Sequence, residues 1–168
     1  GSKKVVLCIP TGSGKTEVSA AIIKGAVEQG KRVLVLVERK TLALQMYQRL
    51  TRYIDTNYVG IAQGENTMNT SAQCLVASIQ TYSRREHLES DWDLVIVDES
   101  HIMHEAANKV VADAPFAIGL TATPRYDMGN LYQSVVAPVS VSDLVDNGRL
   151  VPMRAFCPST IDMCMVRV

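Results

Sequence analysis

The chain has 168 residues, with 17 basic and 17 acidic side chains and a net charge of zero. This length is enough for one domain with a sizeable core and too short for two. Because the charges balance, no overall positive field attracts nucleic acid, and any such site must be a local patch. No apolar run is long enough for a membrane span and no signal-peptide pattern opens the chain, so we expect no membrane contacts. Two of the cysteines lie inside apolar strand patterns, which indicates reduced, buried thiols in a cytoplasmic protein. The four cysteines form no C-x-x-C pair, which argues against a zinc site.

Apolar segments of strand length alternate with segments of helical periodicity along the chain. In chain order, we predict a strand at residues 5–9, a helix at 15–28, a strand at 33–37 and a helix at 41–53. Strands at 58–62 and 74–77, separated by a polar loop at 64–73, and a short helix near 80–85 come next. Strands at 94–97 and 116–120, a turn at 126–130, a short helix at 141–146 and one possible strand after residue 150 follow. Strands that alternate with helices need crossover connections, so the pattern predicts an α/β domain with a mainly parallel sheet flanked by helices on both faces.

A glycine-rich turn follows the first strand and reads Pro10-Thr11-Gly12-Ser13-Gly14-Lys15-Thr16. Backbone N–H groups in such a turn point inward at phosphate oxygens, and glycine is needed where a Cβ would block their approach. Lys15 can reach the β- and γ-phosphates, the Thr16 hydroxyl can ligate Mg²⁺, and the helix that begins here adds its positive end. Ile9 stands where the usual pattern begins with glycine. The alternative is a chance glycine turn without a ligand.

A pair of carboxylates closes the apolar run at residues 94–97, in the sequence Asp98-Glu99-Ser100-His101. Side chains at the carboxyl end of a parallel strand project into the crevice where open α/β sheets bind ligands. Asp98 is the expected Mg²⁺ partner, through water, and Glu99 the group that orients and deprotonates an attacking water. The alternative is an acidic pair that caps the next helix. Together with the phosphate loop, the pair predicts a site that hydrolyses ATP.

Three further polar segments also follow predicted strands. Thr121-Ala122-Thr123-Pro124 can relay hydrogen bonds to His101, although this pattern is also an ordinary exit from a strand. Arg39 and Lys40 lie at a strand end and a helix start, where side chains and backbone N–H groups can meet nucleic-acid phosphates. A second polar cluster contains Ser78, Gln80, Thr81, Arg84 and Arg85. For both clusters the alternative is a solvated helix cap.

These segments, in this order, resemble the motor of superfamily two helicases and translocases. Residues 10–16 resemble motif I, 39–45 motif Ia, 78–81 a later nucleic-acid motif, 98–101 motif II and 121–123 motif III. The acidic quartet is D-E-S-H rather than D-E-A-D or D-E-A-H, with Ser100 as a small-residue variant. Residues 142–152 resemble the exit from the first motor domain in the branch that contains DNA-repair proteins and restriction subunits.

The resemblance implies a RecA-like P-loop NTPase domain at residues 3–156 and the start of a linker at 157–168, toward an absent second RecA-like domain. ATP and Mg²⁺ would bind between the two domains, and the missing one would supply an arginine finger. His101, Thr121 and Thr123 would then transmit the nucleotide state to a nucleic-acid face formed by Arg39, Lys40, Gln80, Thr81 and Arg84. DNA is favoured over RNA as the partner. We expect the isolated domain to be monomeric and nearly inactive.

Three alternatives to a helicase motor domain remain open from the sequence. One is the motor subunit of a restriction enzyme, which moves DNA without separating its strands. Another is a small-molecule P-loop kinase, which would need an acceptor pocket and an arginine-rich lid that the residues after Pro124 do not clearly supply. The third is a nucleotide-dependent scaffold that does not hydrolyse ATP and would not need Glu99.

Overall fold

The computed structural model describes residues 3–85, 88 and 91–152, which contain one eight-stranded sheet. The strands are β1 (Lys4–Cys8), β2 (Val33–Val37), β3 (Val59–Gln63), β4 (Asn66–Met68), β5 (Cys74–Ser78), β6 (Leu94–Val97), β7 (Phe116–Thr121) and β8 (Ser134–Val136). Their order across the sheet is β4-β3-β5-β2-β6-β7-β1-β8. Every pairing is parallel except β3 with β4. The predicted α/β class with a mainly parallel sheet is confirmed.

The described residues also form five α-helices, four of which pack on the two faces of the sheet. They are α1 (Lys15–Glu28), α2 (Lys40–Leu50), α3 (Ile79–Tyr82), α4 (Glu105–Asp113) and α5 (Val141–Asp146). One apolar cluster joins α1 and α2 to one face of the sheet, and a second joins α3 and α4 to the other. β2 is buried along its whole length, because its side chains alternate between the two clusters.

Three predicted elements differ from the structure, and one of them is the short helix predicted near 80–85, which spans Ile79–Tyr82. The predicted loop at 64–73 contains β4, which pairs antiparallel with β3 across a two-residue turn at Gly64 and Glu65. Its side chains are all exposed, so backbone pairing forms this strand without the hydrophobic signal that would have revealed it. The helix predicted at 41–53 ends at Leu50 and continues as turns to Ile54. The possible strand after residue 150 and the domain boundary near residue 156 concern residues 153–168, outside the described part of the chain.

The parallel arrangement brings the carboxyl ends of seven strands to one edge of the sheet, here called the carboxyl edge. The segments that follow β1, β6 and β7 therefore emerge side by side, because these three strands are neighbours in the order β6-β7-β1. The segments that follow β2 and β5 emerge next to them. Within the described residues, no helix is both long enough and apolar enough to cross a membrane.

Candidate active site

The phosphate loop takes the shape that its glycines allow. Gly12 and Gly14 have φ values of 80° and 93°, in the left-handed region that residues with a Cβ rarely adopt. Gly14 is the N-cap of α1, and its carbonyl oxygen accepts hydrogen bonds from the backbone N–H groups of Glu17 and Val18. The Ser13 hydroxyl donates to the Pro10 carbonyl oxygen at 2.5 Å and closes the turn. The loop therefore leads directly into the positive end of a 14-residue helix.

Ile9 occupies the place of the usual first glycine and serves as an anchor for the loop. Its side chain is buried, and its backbone N–H donates to the Thr121 carbonyl oxygen at 2.9 Å. This bond extends the pairing of β1 with β7 by one residue. Ile9 thus fixes the start of the phosphate loop beside the end of β7.

A chain of polar contacts joins the phosphate loop to the acidic quartet and to the end of β7. Lys15 Nζ lies 3.0 Å from Glu99 Oε1, and Glu99 Oε2 lies 3.4 Å from His101 Nδ1. The same imidazole nitrogen lies 3.0 Å from Thr121 Oγ1, which accepts the backbone N–H of Thr123 at 3.0 Å. Five residues that the sequence placed on three separate segments therefore form one continuous cluster. Thr123 takes part through its backbone.

Glu99 adopts a backbone conformation that is unusual for its residue type. Its φ is 49°, in the left-handed region, which costs a residue other than glycine about 1 to 3 kcal/mol. Hydrogen bonds on both sides hold the Glu99 backbone in place. The Asp98 N–H donates to the Leu36 carbonyl oxygen and the Ser100 N–H to the Leu120 carbonyl oxygen, both at 2.9 Å. The turn aims the Glu99 carboxylate at Lys15. Strain of this kind concentrates at functional sites.

Oxygen donors suited to Mg²⁺ lie beside this cluster. Thr16 and Asp98 both line a cavity of about 350 Å³ between the carboxyl edge and α2. A hydroxyl and a carboxylate are ligands of the hard type that Mg²⁺ prefers, and Mg²⁺ commonly uses one or two protein ligands plus water and phosphate. Within the described residues there is no group of three or more His, Cys, Asp or Glu side chains that could hold a metal ion alone. The pair fits a metal that arrives with a nucleotide.

Burial raises the pKa of Asp98 above its ordinary value, and the negative charge of Glu99 raises it further. A hydrogen bond from the backbone N–H of Glu99 and the positive charge of Lys15 lower this pKa, but by less. An aspartate whose pKa is higher in the folded chain takes up a proton more readily when folded. Stability therefore rises as the pH falls from this raised pKa toward the ordinary value of 3.8, and the ionised carboxylate destabilises the protein at neutral pH.

The Asp98→Asn variant is expected to be more stable than the wild type at pH 7 without nucleotide, because it removes this buried charge. It should also lose the Mg²⁺ dependence of nucleotide binding. Thermal melting at pH 7 and calorimetric titrations with and without Mg²⁺ test both effects. Asp113→Asn, at an exposed position in α4, is the matched control. A lower melting temperature for Asp98→Asn than for the wild type would contradict the prediction.

Ser100 is small because little space is left between β6 and β7. Its hydroxyl donates to the Leu120 carbonyl oxygen at 3.2 Å, and its side chain is buried against Gly119. A Cβ added at Gly119 would lie only 2.6 Å from Ser100 Oγ and 2.9 Å from Tyr132 Cζ. Gly119, which the sequence did not single out, therefore keeps the acidic quartet close to β7.

We expect Gly119→Ala to destabilise the protein by about 1 to 3 kcal/mol, because it overpacks a buried contact. Gly25→Ala is the matched control, since a Cβ at this position in α1 meets no atom within 4 Å. That change should be neutral or stabilise the helix by up to about 1 kcal/mol. Chemical denaturation of both variants measures the difference. Equal stability of the two variants would show that Ser100 is not tightly packed.

The predicted nucleic-acid residues lie at the carboxyl edge beyond β2 and β5. Arg39 is the exposed N-cap of α2, and Lys40 is its exposed first residue. Gln80 and Arg84 are also exposed. Thr81 is buried instead: its Oγ1 lies 2.7 Å from Ser78 Oγ and accepts the backbone N–H of Gly64 at 2.8 Å. Thr81 therefore positions the turn between β3 and β4 rather than presenting a hydroxyl to solvent.

Comparison with known proteins identifies the family of this chain. The family model described as Type III restriction enzyme, res subunit, matches residues 1–126. The chain is 30% identical over 142 residues to the DNA 3'-5' translocase XPB2 of Sulfurisphaera tokodaii, which covers 82% of this chain and 31% of that protein. It is 28% identical over 167 residues to a 51.5 kDa protein of a Lactococcus phage, covering 95% of this chain and 34% of that protein. The chain thus spans about a third of the length of these curated relatives.

Solved structures match the fold. The helicase domain of Hef from Pyrococcus furiosus has a TM-score of 0.68 and 24% identity, over 80% of this chain and 35% of that one. The Type ISP restriction-modification enzyme LlaGI, solved with a DNA substrate mimic, has a TM-score of 0.67 and 18% identity, over 88% of this chain and 19% of that one. At these identities the likeness shows the fold alone, which is RecA-like, as the sequence predicts. Because the family model covers more than half of the chain, the chain belongs to the family of the type III restriction enzyme Res subunit.

Proposed function

We propose that this chain is the ATP-binding first motor domain of an ATP-dependent helicase or translocase that acts on DNA. The observation that carries the proposal is the cluster from Lys15 through Glu99 and His101 to Thr121, which joins a phosphate loop to an acidic strand end. A phosphate-binding lysine, a Mg²⁺-type carboxylate and a candidate base in one crevice are the parts that nucleoside triphosphate hydrolysis requires. The relatives named as a DNA translocase and a restriction enzyme support the same assignment.

In the proposed reaction, Lys15 exchanges partners when ATP binds. Its ammonium pairs with Glu99 and would turn to the β- and γ-phosphate oxygens, which carry more negative charge. The Glu99 carboxylate is then free to orient a water molecule and accept its proton. Mg²⁺, held by Thr16 and by Asp98 through water, would neutralise charge on the phosphates. Residues 11–14 would cradle the phosphates with backbone N–H groups.

The same exchange would couple the nucleotide to the rest of the motor. When Lys15 leaves Glu99, the carboxylate beside His101 loses a cationic partner, and the hydrogen bond between His101 and Thr121 would respond. Thr121 also accepts the backbone N–H of Thr123, so a change at His101 reaches the segment after β7. We propose that His101, Thr121 and Thr123 carry the nucleotide state in this way to the nucleic-acid face.

Weak, sequence-independent binding of single-stranded DNA is expected from the exposed cations of this chain. The net charge is zero, so the affinity must come from a local patch, chiefly Arg39 and Lys40 at the start of α2. Each phosphate contact contributes roughly −0.7 to the slope of log K against log salt for single strands. The double variant Arg39→Ala/Lys40→Ala should therefore lose about 1 to 2 units of slope and keep its nucleotide affinity.

Fluorescence anisotropy across a salt series measures this slope. The matched control removes two other exposed lysines, Lys24 in α1 and Lys109 in α4, and thus the same total charge. We expect the control variant to keep the wild-type slope. An unchanged slope in the Arg39/Lys40 variant would assign both residues to solvation of the helix start.

A helicase separates the two DNA strands, whereas the motor subunit of a restriction enzyme moves DNA without separating them. The family description and the likeness to LlaGI are compatible with a motor that moves DNA without separating its strands. A strand-displacement assay on a complete motor distinguishes the two. The kinase alternative receives no support from the comparisons, because the matching family is that of the Res subunit.

A further inference from the structure

The phosphate loop leaves β1 between two neighbouring strands, β7 and β8. Toward β7 it is anchored by the hydrogen bond from the Ile9 N–H to the Thr121 carbonyl oxygen. Because β8 runs parallel to β1, the chain leaves β8 at the carboxyl edge and continues next to the loop. There Leu150 lies over Gly12: a Cβ added at this glycine would be 3.5 Å from Leu150 Cδ2. The loop is therefore contacted by the strand before it in the sheet order and by the segment that follows α5.

The helix α5, which precedes Leu150, is stabilised by its N-terminal cap more than by burial. It has six residues, and none of them is buried. A helix of this length is unstable on its own. The Ser140 hydroxyl accepts the Asp143 N–H at 3.1 Å, and Asp143 Oδ2 accepts the Ser140 N–H at 2.9 Å. These reciprocal bonds form a capping box, which fixes the residue at which the helix begins.

Gly148 sets the direction in which the chain leaves α5. Its φ is 66°, in the left-handed region that commonly ends a helix. In this turn the backbone N–H groups of Arg149 and Leu150 both donate to the Leu144 carbonyl oxygen, at 2.8 and 3.0 Å. The two bonds hold the backbone of Leu150 against the end of α5 while its side chain extends to Gly12. Both ends of this helix are thus fixed by hydrogen bonds, and the result is a defined place for Leu150.

We infer that Leu150 is a positioning residue for the phosphate loop, held in place by the capped helix α5. The inference rests on the phosphate binding proposed above and adds a residue to it. The backbone N–H groups of the loop converge on a phosphate in one conformation, whereas Gly12 and Gly14 allow many others. An apolar side chain over Gly12 excludes those in which the loop moves toward Leu150. A loop kept in its binding conformation loses less entropy when phosphate binds, so the affinity is higher.

The first test measures the affinity of Leu150→Ala for Mg-ADP by isothermal titration calorimetry. We expect a loss of about 5- to 10-fold, as for a loop that is in its binding conformation for only about a tenth to a fifth of the time. Leu150→Met, which keeps an apolar side chain of similar volume, should bind within about twofold of the wild type. Leu44→Ala is the matched control, because it removes a leucine that is 42% exposed on α2.

Thermal melting without nucleotide separates positioning from a general structural role. Because α5 has no buried residue, Leu150→Ala should melt at the wild-type temperature. A melting temperature that falls with the affinity would overturn the inference, and so would wild-type affinity in Leu150→Ala; both results leave the proposed function intact. If the wild type binds no nucleotide, the proposed function fails and the inference fails with it.

Mg-pyrophosphate distinguishes positioning of the loop from a direct contact with the nucleoside. Pyrophosphate carries the phosphate groups without a base or a sugar, so a residue that positions the loop affects both ligands alike. We expect Leu150→Ala to lose the same factor in affinity for Mg-pyrophosphate as for Mg-ADP. A loss confined to Mg-ADP would mean that Leu150 contacts the nucleoside, and would overturn the positioning role.

Gly148→Ala tests whether the end of α5 places Leu150. The change strains the left-handed turn and should lower the affinity for Mg-ADP by up to the factor lost in Leu150→Ala. In a Leu150→Ala background the same change should cause no further loss. Losses of equal size in both backgrounds would show that the turn acts without Leu150, and would overturn the role of α5. Gly129→Ala is the glycine control, since a Cβ there meets no atom within 4 Å.

Discussion

Lys15→Ala is expected to abolish the binding of Mg-ADP and Mg-ATP by this chain. The Lys15 side chain is only 13% exposed and leaves the start of α1 toward the crevice, so its ammonium is the main positive charge available to the phosphates. A charge-assisted hydrogen bond contributes about 1.5 to 3 kcal/mol, and a lysine that reaches two phosphates makes two. The affinity should therefore fall at least about 100-fold. Isothermal titration calorimetry with each nucleotide measures it.

The control for this variant is Lys24→Ala, which removes an exposed lysine of the same helix. Lys24 is paired with Glu28 at 3.8 Å on the surface and faces no phosphate group in the proposed site. We expect wild-type nucleotide affinity from the control. If Lys15→Ala bound nucleotide as tightly as the wild type, the glycine turn would not be a phosphate loop.

Turnover by this chain alone is expected to be very slow, even with DNA present. An arginine finger from a second domain is worth about 10³ to 10⁵ in the rate of phosphoryl transfer, and we propose that this domain lies outside the chain. Glu99 also pairs with Lys15 at 3.0 Å, so the two groups must separate before either takes its proposed role. A phosphate-release assay should find a rate close to that of buffer.

The variant Glu99→Gln provides the control for the residual rate. If the slow hydrolysis belongs to the site described above, this variant should lower it to the level of Lys15→Ala. Robust multiple turnover by the purified chain, abolished in Glu99→Gln, would show that the chain needs no partner domain. The requirement for an arginine finger would then be wrong.

The parts of the fold that could be predicted are those in which burial fixes the pattern. α1 and β2 begin and end at the predicted residues, because a glycine turn, an apolar stripe and a fully buried strand mark them in the sequence. β4 and β8 are three-residue strands at the two edges of the sheet, and their side chains are largely exposed. Backbone pairing rather than hydrophobic burial forms them, so periodicity cannot reveal them. α4 buries Ala107 and Val111 and packs Ala106 and Val110 against the core, so its sequence does carry a helical pattern, which the prediction missed.

In the candidate site, too, some residues could be predicted from the sequence and some contacts could not. Lys15, Asp98 and Glu99 could be singled out because each ends a strand or opens a helix in a pattern with a known chemical use. The Ile9 anchor and the contact between Ser100 and Gly119 could not. These contacts join residues that are far apart in the chain, and their existence depends on the strand order. Thr81 is the opposite case: its place in the sequence predicted a surface contact, but its hydroxyl is used inside the protein.

ATP hydrolysis by a complete motor that contains this chain, measured with and without single-stranded DNA, tests the central claim most directly. We expect DNA to stimulate phosphate release by tenfold or more, and both Lys15→Ala and Glu99→Gln to abolish the stimulated rate. Small phosphate acceptors should have no effect on the rate. Hydrolysis that is indifferent to DNA, or phosphate that appears on a small acceptor instead of in solution, would contradict the assignment of this chain as the first domain of a nucleic-acid motor.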